Sequence, residues 1–148
     1  MPYANISSVL SDADKTAALT KFNDIKALLL FLINLTKDEK RGLQSLSPGN
    51  EPFVTKAITY AETNAGLVPP YLNVPEFRKD YNLALALQTL LQTATPLQES
   101  MEDTAAAVGH EAYKAALTFY SSVQQAAQLN VPGGRGVLTP RSASSVHS

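Results

Sequence analysis

The sequence predicts an all-α protein resembling a four-helix bundle, with a short extra helix after the first, a long C-terminal helix and a flexible tail. Helix-start signals recur along the chain, and apolar residues repeat at intervals of three and four. Neither a run of alternating β-branched residues nor an Asn-Gly or Asp-Gly hairpin turn is present. A chain of 148 residues suits one core. We predict a helical domain over residues 1–128 and a Pro-, Gly- and Ser-rich tail over residues 129–148.

The first helix is predicted to begin after Ser11, a capping residue followed by two acids in the first turn, Asp12 and Asp14. Its apolar positions recur at helical spacing as far as Ile33 and widen from residue 27 onward. A helix that is apolar on most sides is normally buried on most sides. We therefore expect residues 27–33 at the centre of the fold or beneath a second subunit.

Three further helix N-termini are predicted from capping residues in the same way. Thr36 and Glu39 have the spacing of a capping box, which predicts the short extra helix. Asn50 is expected to cap the next helix, with Pro52 in its first turn. An extended crossover through the Pro69-Pro70 pair then leads to a start at Asn73.

Pro96 marks the most informative of the predicted helix boundaries. Because a proline inside a helix costs about 3 kcal/mol, Thr95 and Gln98 are interpreted as a capping box around a turn between two antiparallel helices. The alternative is one long bent helix. The last helix is predicted to reach about Leu129 with an alanine-rich buried face, and Gly109 within it indicates a close backbone contact or a local break.

Composition excludes several classes of protein. The chain has no cysteine, so neither a disulfide framework nor a thiol nucleophile is available. The chain has twelve basic and thirteen acidic residues. Because this near-neutral balance gives no field that attracts nucleic acid, we do not expect nucleic acid as a partner. No signal peptide and no apolar run of roughly 20 residues is present, so we expect a cytoplasmic protein with no membrane span.

The sequence predicts no catalytic, cofactor-binding or metal site. His110 is the sole histidine outside the tail, and Glu111 points about 100° away from it on the same helix. The acids Glu99, Glu102 and Asp103 lie in first turns and lack a Glu-x-x-His partner, so we interpret them as a solvated face. The glycine-rich stretch at residues 133–136 has no flanking helix or strand of the kind that a phosphate loop requires.

Several segments resemble a family of small bacterial proteins that are usually called hypothetical. They are residues 35–41, 53–57, 68–71 with Asp80, 103–104 and 108–113. The resemblance covers most of residues 5–125 and implies an α-helical cytoplasmic protein with no known activity. Family members tend to carry a serine where this chain has His110.

These observations predict a non-enzymatic helical protein that acts by self-association or protein–protein interaction, including as the structural subunit of a filament or other polymer. The alternative is a helical bundle that binds a small molecule or a metal, as a binding module or an enzyme. The candidate interface residues lie in the first helix, the last helix and the tail: Leu28, Leu30, Phe31, Ala105, Ala112, Tyr113, Ala116, Tyr120, Arg135 and Arg141.

Overall fold

A computed structural model describes residues 4–129. Four α-helices follow one another: α1 (Asp12–Leu28), α2 (Lys37–Arg41), α3 (Glu51–Thr63) and α4 (Val74–Gln128), with a 3-10 helix at Ala65–Leu67. No strand occurs among residues 4–129. The all-α prediction is confirmed, and so is the short helix after the first. The predicted tail and its two candidate residues, Arg135 and Arg141, lie outside the described residues.

The chain divides into two units. One comprises residues 9–95, and the described part of the other comprises residues 4–8 and 96–129. Helix α4 belongs to both, because the boundary falls between Thr95 and Pro96.

In the unit of residues 9–95, the fully buried side chain is Ile58 of α3. Long side chains link α3 to the start of α4: the hydroxyls of Thr55 and Tyr81 lie 2.7 Å apart, and Arg78 donates to Glu62. The Gln88 amide also reaches the Leu46 carbonyl at 3.5 Å. These links tie α3 and the loop before it to the start of α4, and Ile58 forms the small core of the unit.

Helix α1 lies outside that core. None of its residues is buried, and its backbone makes no close approach to any other described helix. Of the two positions predicted for residues 27–33, the centre of the fold is therefore wrong, and a place beneath a second subunit stays a prediction. The helix also ends earlier than its apolar pattern indicates, at Leu28, because Leu29 leaves the helical region with φ −119° and ψ 54°.

Pro96 lies inside α4, and the predicted turn between two antiparallel helices is wrong. The alternative of one long helix is the one observed. Residues 83–94 are rich in Leu, Ala and Gln, which have high helix propensity and offset the loss of the hydrogen bond to the Gln92 carbonyl. Tertiary packing does not explain the continuity, since residues 89–106 are all exposed.

Two smaller expectations are also wrong. Apart from its chain neighbours and the nearby backbone of α4, no atom of residues 4–129 lies within 4 Å of the position that a Cβ on Gly109 would take. Helix α4 is unbroken there, so this glycine marks neither a close contact nor a break. Asn50 occupies the N-cap position of α3 without capping it. Its Oδ1 instead accepts from the Ser47 amide at 2.8 Å, which shapes the loop before the helix.

The unit of residues 4–8 and 96–129 buries Val123 and Ala127 near the end of α4. The extended N-terminal segment reaches α4, where the Ile6 amide donates to Glu111 Oε2 at 3.0 Å. The predicted alanine-rich buried face is largely wrong, since most of its members are exposed, including Met101, Ala105, Ala112, Ala116 and Phe119.

Candidate interaction surface

Helix α1 has local stabilising interactions at both ends, and none of its residues is buried among residues 4–129. Ser11 Oγ accepts a hydrogen bond from the Asp14 amide at 3.1 Å, which confirms the predicted cap. Asp12 and Asp14 in the first turn and Lys26 in the last complement the helix dipole. The helix therefore forms without burying its apolar side.

Large apolar side chains line α1 and the segment that follows it. On the helix, Leu19, Phe22 and Ile25 are spaced by three and lie on one side. Residues 29–35 are not helical, and Leu28, Leu30 and Ile33 are 80%, 86% and 76% exposed. We define the α1 apolar surface as Leu19, Phe22, Ile25, Leu28, Leu30, Phe31, Leu32 and Ile33.

This surface is as large as the largest apolar patch of a typical monomeric protein. A large aliphatic side chain carries on the order of 100 Å² of apolar area, and the eight members are on average about three-fifths exposed, so together they present roughly 500 Å². The largest apolar patch on a typical monomeric protein is about 300–600 Å² and is often functional.

Three interface candidates predicted from the sequence are exposed on this surface: Leu28, Leu30 and Phe31. The α4 candidates Ala105, Ala112, Tyr113 and Ala116 are exposed in the other unit, while Tyr120 is half-buried. The structure thus places Leu28, Leu30 and Phe31 near one another and places the other described candidates on a different helix, α4.

The Glu111 contact is a feature that sequence reasoning missed. The Ile6 amide and the Glu111 carboxylate are 105 positions apart, and both residues are half-buried. Beside them an open groove of about 500 Å³ is lined by Ile6, Asp103, Thr104, Ala106 and Ala107. Nothing in the sequence around Glu111 indicates that its carboxylate accepts a hydrogen bond from a backbone amide near the N-terminus.

Arg78 forms the second polar cluster that sequence reasoning missed. Its Nε donates to Glu62 Oε2 at 2.8 Å, and its guanidinium lies 5.6 Å from the centre of the Tyr81 ring. Because Arg78 donates hydrogen bonds to it, the pKa of the Glu62 carboxyl is lowered from its ordinary 4.5. The same hydrogen bonds raise the pKa of Arg78. This cluster is an intramolecular tie between α3 and α4.

The capping box of α2 follows the α1 apolar surface directly. The Thr36 amide donates to Glu39 Oε1 at 3.1 Å, and the Glu39 amide donates to Thr36 Oγ1 at 3.2 Å, as predicted. The hydrogen bond from the Thr36 amide lowers the pKa of Glu39, with a smaller contribution from the Thr36 hydroxyl. The box fixes the chain direction where the apolar segment ends.

His110 is exposed on α4, and residues 4–129 contain no group of three or more acids and histidines placed to hold a metal ion. Glu99, Glu102 and Asp103 are exposed, in line with their interpretation as a solvated face, but they lie in the middle of α4 and not in the first turns of a helix as predicted. Over the same residues, no helix combines the length and apolar content needed to cross a bilayer.

Comparison with known protein families, with curated proteins and with solved structures finds no match to this chain. The resemblance to the family of small bacterial proteins therefore stays a prediction.

Proposed function

We propose that this protein is a non-enzymatic helical subunit that acts by self-association. One observation carries the proposal: the α1 apolar surface is exposed, while the buried core of residues 4–129 consists of Ile58, Val123 and Ala127. A sequence with 45% hydrophobic residues has enough apolar side chains for a much larger core. Association would supply the missing neighbours.

The energetics permit association. Burying roughly 500 Å² of apolar surface contributes about 12 kcal/mol at 25 cal/mol/Å². Losing the freedom of a separate molecule costs an estimated 4–15 kcal/mol. The two terms are of similar size, so the α1 apolar surface offsets the cost of association, and the contacts beside it set the affinity.

Exposed aromatic side chains on α4 favour a polymer over a closed pair. Tyr113 and Phe119 are about 60% exposed on α4, in the other unit. A subunit with two separate interfaces propagates into a chain or tube unless its geometry closes into a ring. We place this assembly in the cytoplasm, as the family resemblance implies.

The test is the mass of the full-length chain in solution. Light scattering coupled to size-exclusion chromatography, over a roughly hundredfold range of concentration, is expected to give a mass that rises above the 15.9 kDa of one chain. Negative-stain electron microscopy of the concentrated sample is expected to show particles or fibres. A mass of 15.9 kDa at every concentration would contradict the proposal.

A matched pair of variants links the mass to the surface. Leu30→Gln places an amide on the α1 apolar surface and is expected to reduce association. Leu67→Gln makes the same change on the 3-10 helix, at a residue that is similarly exposed but lies outside that surface. It is expected to associate like the parent chain.

A further inference from the structure

We propose that residues 131–138, which follow α4 in the chain, fold back along the end of this helix and cover Val123 and Ala127. The inference is independent of the proposed self-association. It assigns an occupant from within the same chain to the buried end of α4, and it thereby limits the part of this helix that another copy can reach.

The end of α4 is buried although the described helices provide no cover for it. Val123 and Ala127 are each 7% exposed, and the neighbouring Tyr120 and Ala126 are half-buried. No residue of α4 before Val123 is buried. No other helix in residues 4–129 brings its backbone close to this end of α4. Full burial therefore begins only where α4 approaches the residues that follow it.

The described N-terminal segment lies too far away to be the cover. It is held at Glu111, whose carboxylate accepts the hydrogen bond of the Ile6 amide. Ala4 is two residues from Ile6 and reaches at most roughly 7 Å further. Ala127 is sixteen residues beyond Glu111, or about 24 Å along the helix axis.

The residues after α4 are long enough to return along it. Nine residues lead from Leu129 to Leu138, and they can span up to roughly 30 Å. Val123 is six residues before Leu129, or about 9 Å back along the helix axis. Residues 131–134 read Val-Pro-Gly-Gly, which is typical of a type II turn with proline at its second position and glycine at its third. A chain that reverses there brings Leu138 back beside the end of α4.

The chemistry of the segment matches the end of the helix. Residues 115–134 carry no charged side chain, so the last turns of α4 suit the apolar pair at residues 137–138. The last turn of α4 also contains no basic residue. A cation near a helix C-terminus complements the dipole and the free carbonyls there. Arg135 directly follows the two glycines, and a reversal at them places its charge close to this end.

Thiol reactivity in the full-length chain tests the cover. The chain has no cysteine, so Ala127→Cys introduces a single thiol. Ser121→Cys is the exposed reference, since residue 121 lies about 160° around α4 from Val123. We expect Ala127→Cys to react with a soluble disulfide reagent roughly tenfold more slowly than Ser121→Cys.

Charges introduced into the segment should remove this protection. Val137→Asp together with Leu138→Asp is expected to raise the reaction rate of Ala127→Cys to that of Ser121→Cys. Val146→Asp makes the same kind of change outside the segment and should leave the rate unchanged. Equal rates for Ala127→Cys and Ser121→Cys in the parent background, or protection that survives both aspartates, would overturn the inference.

A disulfide shows whether the cover belongs to the same chain. Ala127→Cys is combined with either Val137→Cys or Leu138→Cys. Neighbouring residues of an extended segment point to opposite sides, so one of the two combinations should face α4. Under oxidation at low protein concentration, that variant is expected to form an intramolecular disulfide and to migrate as a compact monomer on a non-reducing gel.

The concentration dependence separates this inference from the proposed function. Protection that is lost on dilution, with disulfides that join two chains, would show that another copy covers the end of α4. That result would overturn the inference and leave the proposed function standing. Protection that is the same at every concentration supports the inference, whether or not the parent chain associates.

Discussion

Ile58 lies where α3 faces the start of α4, and its side chain is fully buried while its neighbours Val54, Ala57 and Ala61 are half-buried. A core of this size leaves few other contacts to compensate for a lost side chain. Stability in the unit of residues 9–95 is therefore concentrated at one position.

Ile58→Ala is expected to destabilise the protein by about 2–5 kcal/mol, the usual cost of truncating a buried isoleucine. Phe53→Ala on the same helix removes a side chain that is 74% exposed and should cost far less. Urea unfolding followed by circular dichroism measures both free energies. Equal costs would show that Ile58 is not the centre of this core.

The Glu62 and Arg78 pair makes the tie between α3 and α4 dependent on pH. The pKa of Glu62 is lowered in the folded chain, so folding favours the ionised carboxylate. The stabilisation is fully present above the ordinary value of 4.5 and is lost as the pH falls through the lowered pKa.

Removing the charge should remove that part of the pH dependence. We expect Glu62→Gln to lower the melting temperature slightly at pH 7 and to have no effect in strong acid, where the parent carboxyl is already protonated. Asp80→Asn removes the same charge from an exposed residue of α4 and serves as the control. Thermal melts from neutral to acidic pH make the comparison. A deficit that persists unchanged at the lowest pH would refute the assignment.

At the scale of elements, α4 shows how helix propensity can overcome a single unfavourable residue. Thr95 and Gln98 have the spacing of a capping box, yet the helix continues through Pro96. Start signals mark a possible helix terminus but do not exclude a helix that passes through them. The capacity of residues 83–94 to remain helical decides the outcome.

Pro96→Ala restores an amide to the middle of α4 and is expected to stabilise the protein by up to about 3 kcal/mol. Pro75→Ala lies in the first turn of the same helix, where proline is tolerated, and should change the stability little. Thermal unfolding monitored by circular dichroism distinguishes them. If Pro96→Ala instead lowered the melting temperature, a turn at this proline would be indicated.

At the scale of the molecule, more large apolar side chains of residues 4–129 are exposed than buried. Leu28, Leu30 and Leu67 are at least 80% exposed, while the fully buried side chain is Ile58. A fold of this kind gains stability from whatever covers its apolar surfaces, because a partner that binds the native state shifts the unfolding equilibrium.

The melting temperature is therefore expected to rise with protein concentration, as it does for proteins whose folding and association are linked. Ile33→Gln, on the α1 apolar surface, should flatten this dependence relative to the parent chain. Differential scanning calorimetry over a series of concentrations measures both. A parent melting temperature independent of concentration would indicate that unfolding is not coupled to association.

The sequence alone determined the helical class and several helix starts. Ser11, Thr36 and Asn73 all accept the amide hydrogen bonds that their spacing predicts. A cap joins residues three positions apart, so its geometry does not depend on the rest of the chain. The short helix at Lys37–Arg41 was predictable for the same reason.

Tertiary structure alone decided which partners the helices have. The contact of Ile6 with Glu111 joins residues at distant points in the chain, and the tie between Glu62 and Arg78 joins two helices. Apolar periodicity identifies the side of a helix that favours burial but not what covers it. The same stripe on α1 is compatible with a core or with a surface, and only the fold of the whole chain places it in solvent.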